Sequence, residues 1–79
     1  MGSLGVVDSM TDLLRILVNG EPRDIPAGLT VSALISHLGL PLNRVAIERN
    51  FEILSRDAWK TTAVAADDRY EIVQLVGGG

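Results

Sequence analysis

Three glycines, Gly77, Gly78 and Gly79, end the chain directly behind a run of strand-forming residues. Glycine has no Cβ, so a Gly-Gly end can thread a narrow channel and bring a backbone carboxylate close to a ligand. The terminal carboxyl has an ordinary pKa of about 3.3–3.7 and is an anion at neutral pH. An anionic oxygen of this kind can attack the α-phosphate of ATP. A nucleophile that follows then meets an acyl carbon with no side chain crowding it. Composition alone leaves a fraying tail or a linker remnant equally open.

Nothing else in the chain competes as a chemical centre. Glu48, Asp67 and Asp68 read as solvated or turn-forming carboxylates. His37 falls in the last turn of a short helix, on its polar side, where a histidine suits the helix dipole. There is no serine nucleophile elbow, no phosphate-cradling glycine loop with its lysine, and no dinucleotide fingerprint. The sequence has no cysteine and one histidine, which excludes disulfides, thiolate metal sites and a multi-histidine metal site. No catalytic residue, bound cofactor or metal is therefore expected. Seven basic against ten acidic residues leave a net charge of −3 and little to build a basic, nucleic-acid-binding face. No apolar run approaches the roughly 20 residues of a membrane span. No signal-peptide pattern opens the chain, and a cytoplasmic setting is expected.

The elements must present that terminus. Seventy-nine residues are one domain. Residues 1–12 read as a loose leader, with Met1-Gly2-Ser3 like a cloning scar and Met10 a second candidate start. Residues 13–76 form the domain, and 77–79 a flexible glycine tail. Leu13–Val18 reads as a strand rich in branched residues. Asn19-Gly20 suits a two-residue type I′ hairpin. Glu21–Ile25 should pair back as an edge strand, where Pro22 is tolerated. Thr30 caps a helix whose Val31, Leu34, Ile35 and Leu38 form one apolar stripe, with Ser32, Ser36 and His37 on the wet side. Gly39 closes it. Arg44–Asn50 alternates as a strand, Phe51–Leu54 is a short extra strand, and Ser55–Trp59 a single helical or 3₁₀ turn. Thr61–Ala66 is ambiguous, Asp67-Asp68 marks a turn, and Tyr70–Val76 is the last strand.

This order predicts an α+β fold, a mixed four- to five-stranded sheet with one main helix across one face. The expected core is Leu14, Ile16, Val18, Val31, Leu34, Ile35, Leu38, Val45, Ile47, Tyr70 and Ile72, with Trp59 as a satellite. Alternation puts Leu17, Ala46, Val73 and Leu75 on the opposite face. They read either as a docking patch beside the tail root or as scattered surface apolars of the ordinary kind.

Several segments together resemble the ThiS family of sulfur carrier proteins from thiamin biosynthesis. They are IxVNG at Ile16–Gly20, LTVxxLI at Leu29–Ile35, VAIExN at Val45–Asn50, RDAW at Arg56–Trp59, and the ending DRYEIVQLVGGG. The resemblance runs from Leu13 to Gly79 and implies the ubiquitin-like β-grasp fold. It implies a protein substrate rather than an enzyme. An adenylyltransferase resembling the ubiquitin-activating enzymes would use ATP to adenylate Gly79. A sulfur donor system would convert the adenylate to a thiocarboxylate, and thiazole synthase would take the sulfur. Gly78 maps onto the other half of the family's glycine pair, and Gly77 is an extra tail glycine. The same features leave open the small subunit of molybdopterin synthase, or a ubiquitin-like modifier or binding module without sulfur chemistry. The leader before Leu13 departs from the family pattern.

Overall fold

A computed structural model of the chain describes residues 12–75. Strand β1 (Leu13–Val18) turns Ile16 and Val18 inward. At Asn19 and Gly20 both φ angles are positive, 52° and 83°. That is the demand of a type I′ turn, whose twist matches the strands it joins. Val18 accordingly pairs with Glu21, and β2 (Glu21–Pro26) runs back antiparallel at the sheet edge. A proline without an N–H is harmless at an edge, and Pro22 sits opposite Leu17 there. Ile25, opposite Leu14, is the one residue of β2 that enters the core. Edge strands expose most of their residues, so its burial is invisible to an alternation count.

Helix α1 (Val31–His37) begins where Thr30 Oγ1 accepts from the Ala33 N–H at 3.2 Å. It ends in a Schellman closure. Gly39, at φ 76°, donates to the Ser36 carbonyl at 3.0 Å, and Leu40 donates to Ile35 at 3.1 Å. Val31, Leu34 and Ile35 are buried against the sheet, while Leu38 packs half-buried at the rim. Ser36 and His37 face solvent, but Ser32 is half-buried, its N–H donating to the Trp59 carbonyl at 3.0 Å.

A 3₁₀ turn at Leu42–Arg44 leads into β3 (Val45–Arg49), followed by the two-residue β4 (Glu52–Ile53). A second 3₁₀ turn spans Arg56–Ala58 and sets Trp59 into the core, its Nε1–H donating to the Leu54 carbonyl at 3.1 Å. The ambiguous stretch after it crosses the start of α1. Val31 donates to Thr62, Val64 donates to Leu29, and Val64 is buried. Strand β5 (Arg69–Gln74) then runs down the middle of the sheet, in the order β2-β1-β5-β3-β4. It is parallel to β1 and antiparallel to β3.

The result is a five-stranded mixed sheet with one helix on one face, within the expected four to five strands. Of the expected core, Leu14 and Leu38 are half-buried at its margin; Ile25 and Val64 join it, and Trp59 is a full member. Among the carboxylates one expectation is overturned. Asp68, read as a solvated turn residue, is only 5% exposed. The cause is a closed set of hydrogen bonds described below. The leader lies outside the described residues except for Asp12, whose carbonyl accepts from the Ala27 N–H at 3.2 Å.

Candidate functional site: the root of the glycine terminus

Gly77, Gly78 and Gly79 lie outside the described residues; the strand that leads into them does not. β5 is held from both sides. Along β3 its partners run from Arg49↔Tyr70 to Val45↔Gln74, and the Leu75 N–H donates to the Arg44 carbonyl at 2.7 Å. Along β1 it pairs at Leu17↔Arg69 and Val18↔Tyr70. Tyr70 and Ile72 point into the core, so Glu71 and Val73 point away from the helix.

The face away from the helix is apolar at the tail end. Ala46 and Val73 are register partners, and Ile53 pairs beside Glu48. Ile53 is 84% exposed, Val73 58% and Leu75 50%. Ala46, Ile47, Glu48, Ile53, Glu71 and Val73 line a shallow cleft of about 190 Å³. Glu48 and Glu71 stand directly opposite each other in it. Like charges so placed oppose folding, so an acidic pair flanks the apolar residues.

Of the four residues expected on this face, Ala46 and Val73 therefore meet, and Leu75 follows at the end of β5. Leu17 does not join them. It is half-buried between Pro22 and Arg69, with Arg69 four residues before Val73 on β5. At about 3.3 Å per residue that is some 13 Å along the strand. Ile53 is the member that alternation missed. Its signal was the short strand after the Asn50-Phe51 turn, which sets it across from Glu48.

The other end of β5 is closed by polar chemistry. Asp68 Oδ2 accepts from the Tyr70 hydroxyl at 2.8 Å, the Ala65 N–H at 2.9 Å and Arg49 Nε at 3.1 Å. Its Oδ1 accepts from the Asn50 amide at 3.2 Å. Burial alone pushes the Asp68 carboxyl up. The Ala65, Tyr70 and Asn50 hydrogen bonds and the Arg49 charge outweigh it and hold the group below the usual carboxylate range. Burial, and then the Asp68 hydrogen bond, push the Tyr70 phenol up to about 12. Every member of the set is consumed by the others, which makes it a structural clasp rather than a reactive site. His37 stands exposed at the end of α1. Among the described residues no group of three or more metal-ligating side chains is assembled.

A mixed sheet with one helix on its face and a central last strand that runs out toward a glycine ending is the ubiquitin-like β-grasp arrangement. The sequence profile of the ThiS family matches residues 16–79, and the chain belongs to that family. A crystal structure of the thiamine biosynthesis protein ThiS from Geobacter metallireducens is similar, with a TM-score of 0.72 and 33% identity. The match covers 84% of this chain and all of that one. Two thiazole synthases are also similar over 66 residues, at 41% identity in Paramagnetospirillum magneticum and 38% in Magnetococcus marinus. The match covers 84% of this chain but only 20% of each of those, so the chain corresponds to about a fifth of their length. Family membership supports a sulfur carrier role. No helix among the described residues is long and apolar enough to cross a membrane.

Proposed function

We propose that the chain is a sulfur carrier whose own C-terminal carboxylate, on Gly79, is the reacting group. A carboxylate oxygen attacks the α-phosphate of ATP on an adenylyltransferase and displaces pyrophosphate. A hydrosulfide equivalent then attacks the acyl carbon and forms a carbon–sulfur bond, the carbon–oxygen bond to the adenylate breaks, and AMP leaves with that oxygen and the bonding pair, giving a thiocarboxylate. No redox change occurs in either step when the donor is at the sulfide level. Thiazole synthase is the proposed acceptor; the likeness to two proteins of that name supports it over a molybdopterin acceptor.

The observation that carries the reading is the family match running through Gly79 together with the absence of any competing reactive group among the described residues. Gly77 and Gly78 serve as slender tail, and Ala46, Val73, Leu75 and the added Ile53 as the docking face. ATP belongs to the activating enzyme, and the chain is a substrate rather than an enzyme. A cytoplasmic setting goes with this role. The test is the intact mass of the full chain after incubation with the adenylyltransferase, ATP and sulfide. The expected result is one oxygen-to-sulfur exchange located at Gly79. A chain that keeps its original mass while a known carrier is converted under the same conditions overturns the proposal.

A further inference from the structure

β5 outruns its neighbour. β1 ends at Val18, level with Tyr70, and the chain turns away into β2, whereas β5 continues to Gln74. On the β1 side, Ile72 therefore has no strand to bond to. The Asn19 side chain takes that place. Its Oδ1 accepts from the Ile72 N–H at 2.8 Å, and its Nδ2 donates to the Ile72 carbonyl at 3.2 Å. The Asn19 main-chain N–H donates to the Tyr70 carbonyl at 2.8 Å. A side-chain amide carries the same donor and acceptor as a peptide group, so Asn19 adds one rung to the ladder after β1 has ended.

Two demands meet at this position. The turn needs a residue that tolerates φ of 52°, which favours Gly, Asn or Asp. The rung needs a donor and an acceptor on one short side chain. Glycine meets the first alone, and aspartate lacks the donor. Only asparagine meets both.

The geometry points to Asn19 as a positioning residue for the terminus: its amide pins Ile72 and so fixes the line on which the last strand leaves the sheet. This rests on the carrier reading above. Opposite it, the Arg44 carbonyl holds Leu75. Gly79 is the seventh residue after Ile72, a reach of at most about 25 Å when extended. Without the rung the strand is held from the β3 side alone, through Gln74 and Leu75; a twist about that one edge is carried out to the carboxylate, and reacting atoms need to lie about 3–3.5 Å apart. Val73 and Leu75 of the docking face lie on this strand but are held from the β3 side, Val73 opposite Ala46 and Leu75 by Arg44, so losing the rung on the β1 side leaves docking intact.

The test uses the full chain and its Asn19→Gly and Asn19→Asp variants. Glycine keeps the type I′ turn and removes the rung; aspartate keeps the acceptor and sets an oxygen against the Ile72 carbonyl. Amide exchange at Ile72 should rise about ten-fold or more in Asn19→Gly. In thiocarboxylate formation with adenylyltransferase, ATP and sulfide, kcat should fall roughly ten-fold while KM stays within about two-fold, since small misplacements act on the reacting geometry. Asn19→Asp should lose less than glycine and serves as the readout if glycine prevents folding. Faster exchange with unchanged kcat overturns the positioning role and leaves a purely structural rung. Unchanged exchange overturns the rung itself. If the unsubstituted chain is as inert as both variants, it is the carrier reading that fails, and the role of Asn19 falls with it.

Discussion

The two ends of β5 are built on opposite principles. At Asp68 and Tyr70 every polar group is satisfied, the carboxylate is nearly sealed from solvent, and three non-glycine residues around it adopt left-handed backbone, Asn50, Phe51 and Asp67. Such conformations persist only where surrounding contacts over-determine them. Here Asn50 is tied to Asp68 and to the Arg69 N–H, and the Arg69 guanidinium lies 4.9 Å from the Phe51 ring. At Val73 and Leu75 the strand instead leaves apolar side chains in solvent, beside two carboxylates that face each other. One end holds the sheet together. The other leaves apolar side chains uncovered, as the docking face proposed above would need.

If that division is right, changes at one end should move stability alone and changes at the other should move reaction alone. The largest effect is expected beyond the open end. Deleting Gly79 should abolish thiocarboxylate formation, read by intact mass, while thermal melting stays within about 1 °C. Gly78→Val should lower adenylation steeply with the same melting curve, because a β-branched residue stiffens the backbone and adds bulk where an enzyme must close in. A fall in melting temperature of several degrees for either would show the terminus to be part of the fold.

At the closed end the expectation reverses. Asp68→Ala leaves the Tyr70 hydroxyl, the Asn50 amide, the Ala65 N–H and the partly buried Arg49 without their acceptor, and should cost about 2–4 kcal/mol in urea unfolding. For a domain this small that is a large share of about 5–15 kcal/mol. Leu34→Ala, which empties the centre of the core, should cost about 2–5 kcal/mol. The surviving folded fraction should still accept sulfur. The pH dependence follows from the lowered Asp68 pKa. A carboxyl held below its unfolded value contributes fully above about 3.9 and loses that contribution as pH falls through the folded value. Melting temperature should thus hold down to about pH 4 and drop below it, with Asp68→Asn showing a shallower drop. At the alkaline side Tyr70 works with the opposite sign. Its raised pKa stabilises the protonated fold, and that contribution fades as pH rises from 10 to about 12.

Much of the frame was legible because it rests on local signals. Asn19-Gly20 announced its turn, Thr30 its cap and Gly39 its closure, and each acts within a few residues of itself. The last strand and the glycine ending were equally readable, but not the strand's central place, which depends on its pairing with β1 some fifty residues away. What escaped were pairings across long stretches of chain. The Asn19 amide meets Ile72 from 53 residues away, and no period in either segment encodes that. Asp68 looked like a turn residue because it follows a turn; its burial comes from Arg49 at the end of β3 and Asn50 in the turn beyond it. Ile25 and Val64 are buried by what lies over them, not by their own alternation. On the candidate face, alternation correctly told in from out, but it carried no register. It therefore grouped Leu17 with Val73 although their levels are four residues apart along β5.

That register yields the smallest and sharpest expectation. Val73→Glu should weaken binding to the adenylyltransferase about ten-fold, the scale of a central interface residue, because it puts charge beside Ala46 and Ile53. Leu17→Glu should weaken it less than about three-fold, since Leu17 lies between Pro22 and Arg69 and its neighbour is already a cation. Both are solvent-side positions, so unfolding free energies should change by about 0.5 kcal/mol or less for Val73 and modestly more for the half-buried Leu17. Val73 lies next to Glu71 and Glu48, so the charge itself must be separated from lost apolar contact. Val73→Lys serves for that. If apolar contact carries the docking, Lys and Glu should weaken binding alike; if the acidic pair attracts a basic partner, Lys should be the more damaging. Titration calorimetry of the three variants reads all of this. Equal losses for Leu17→Glu and Val73→Glu would extend the docking face across the whole sheet and remove the distinction between its two ends.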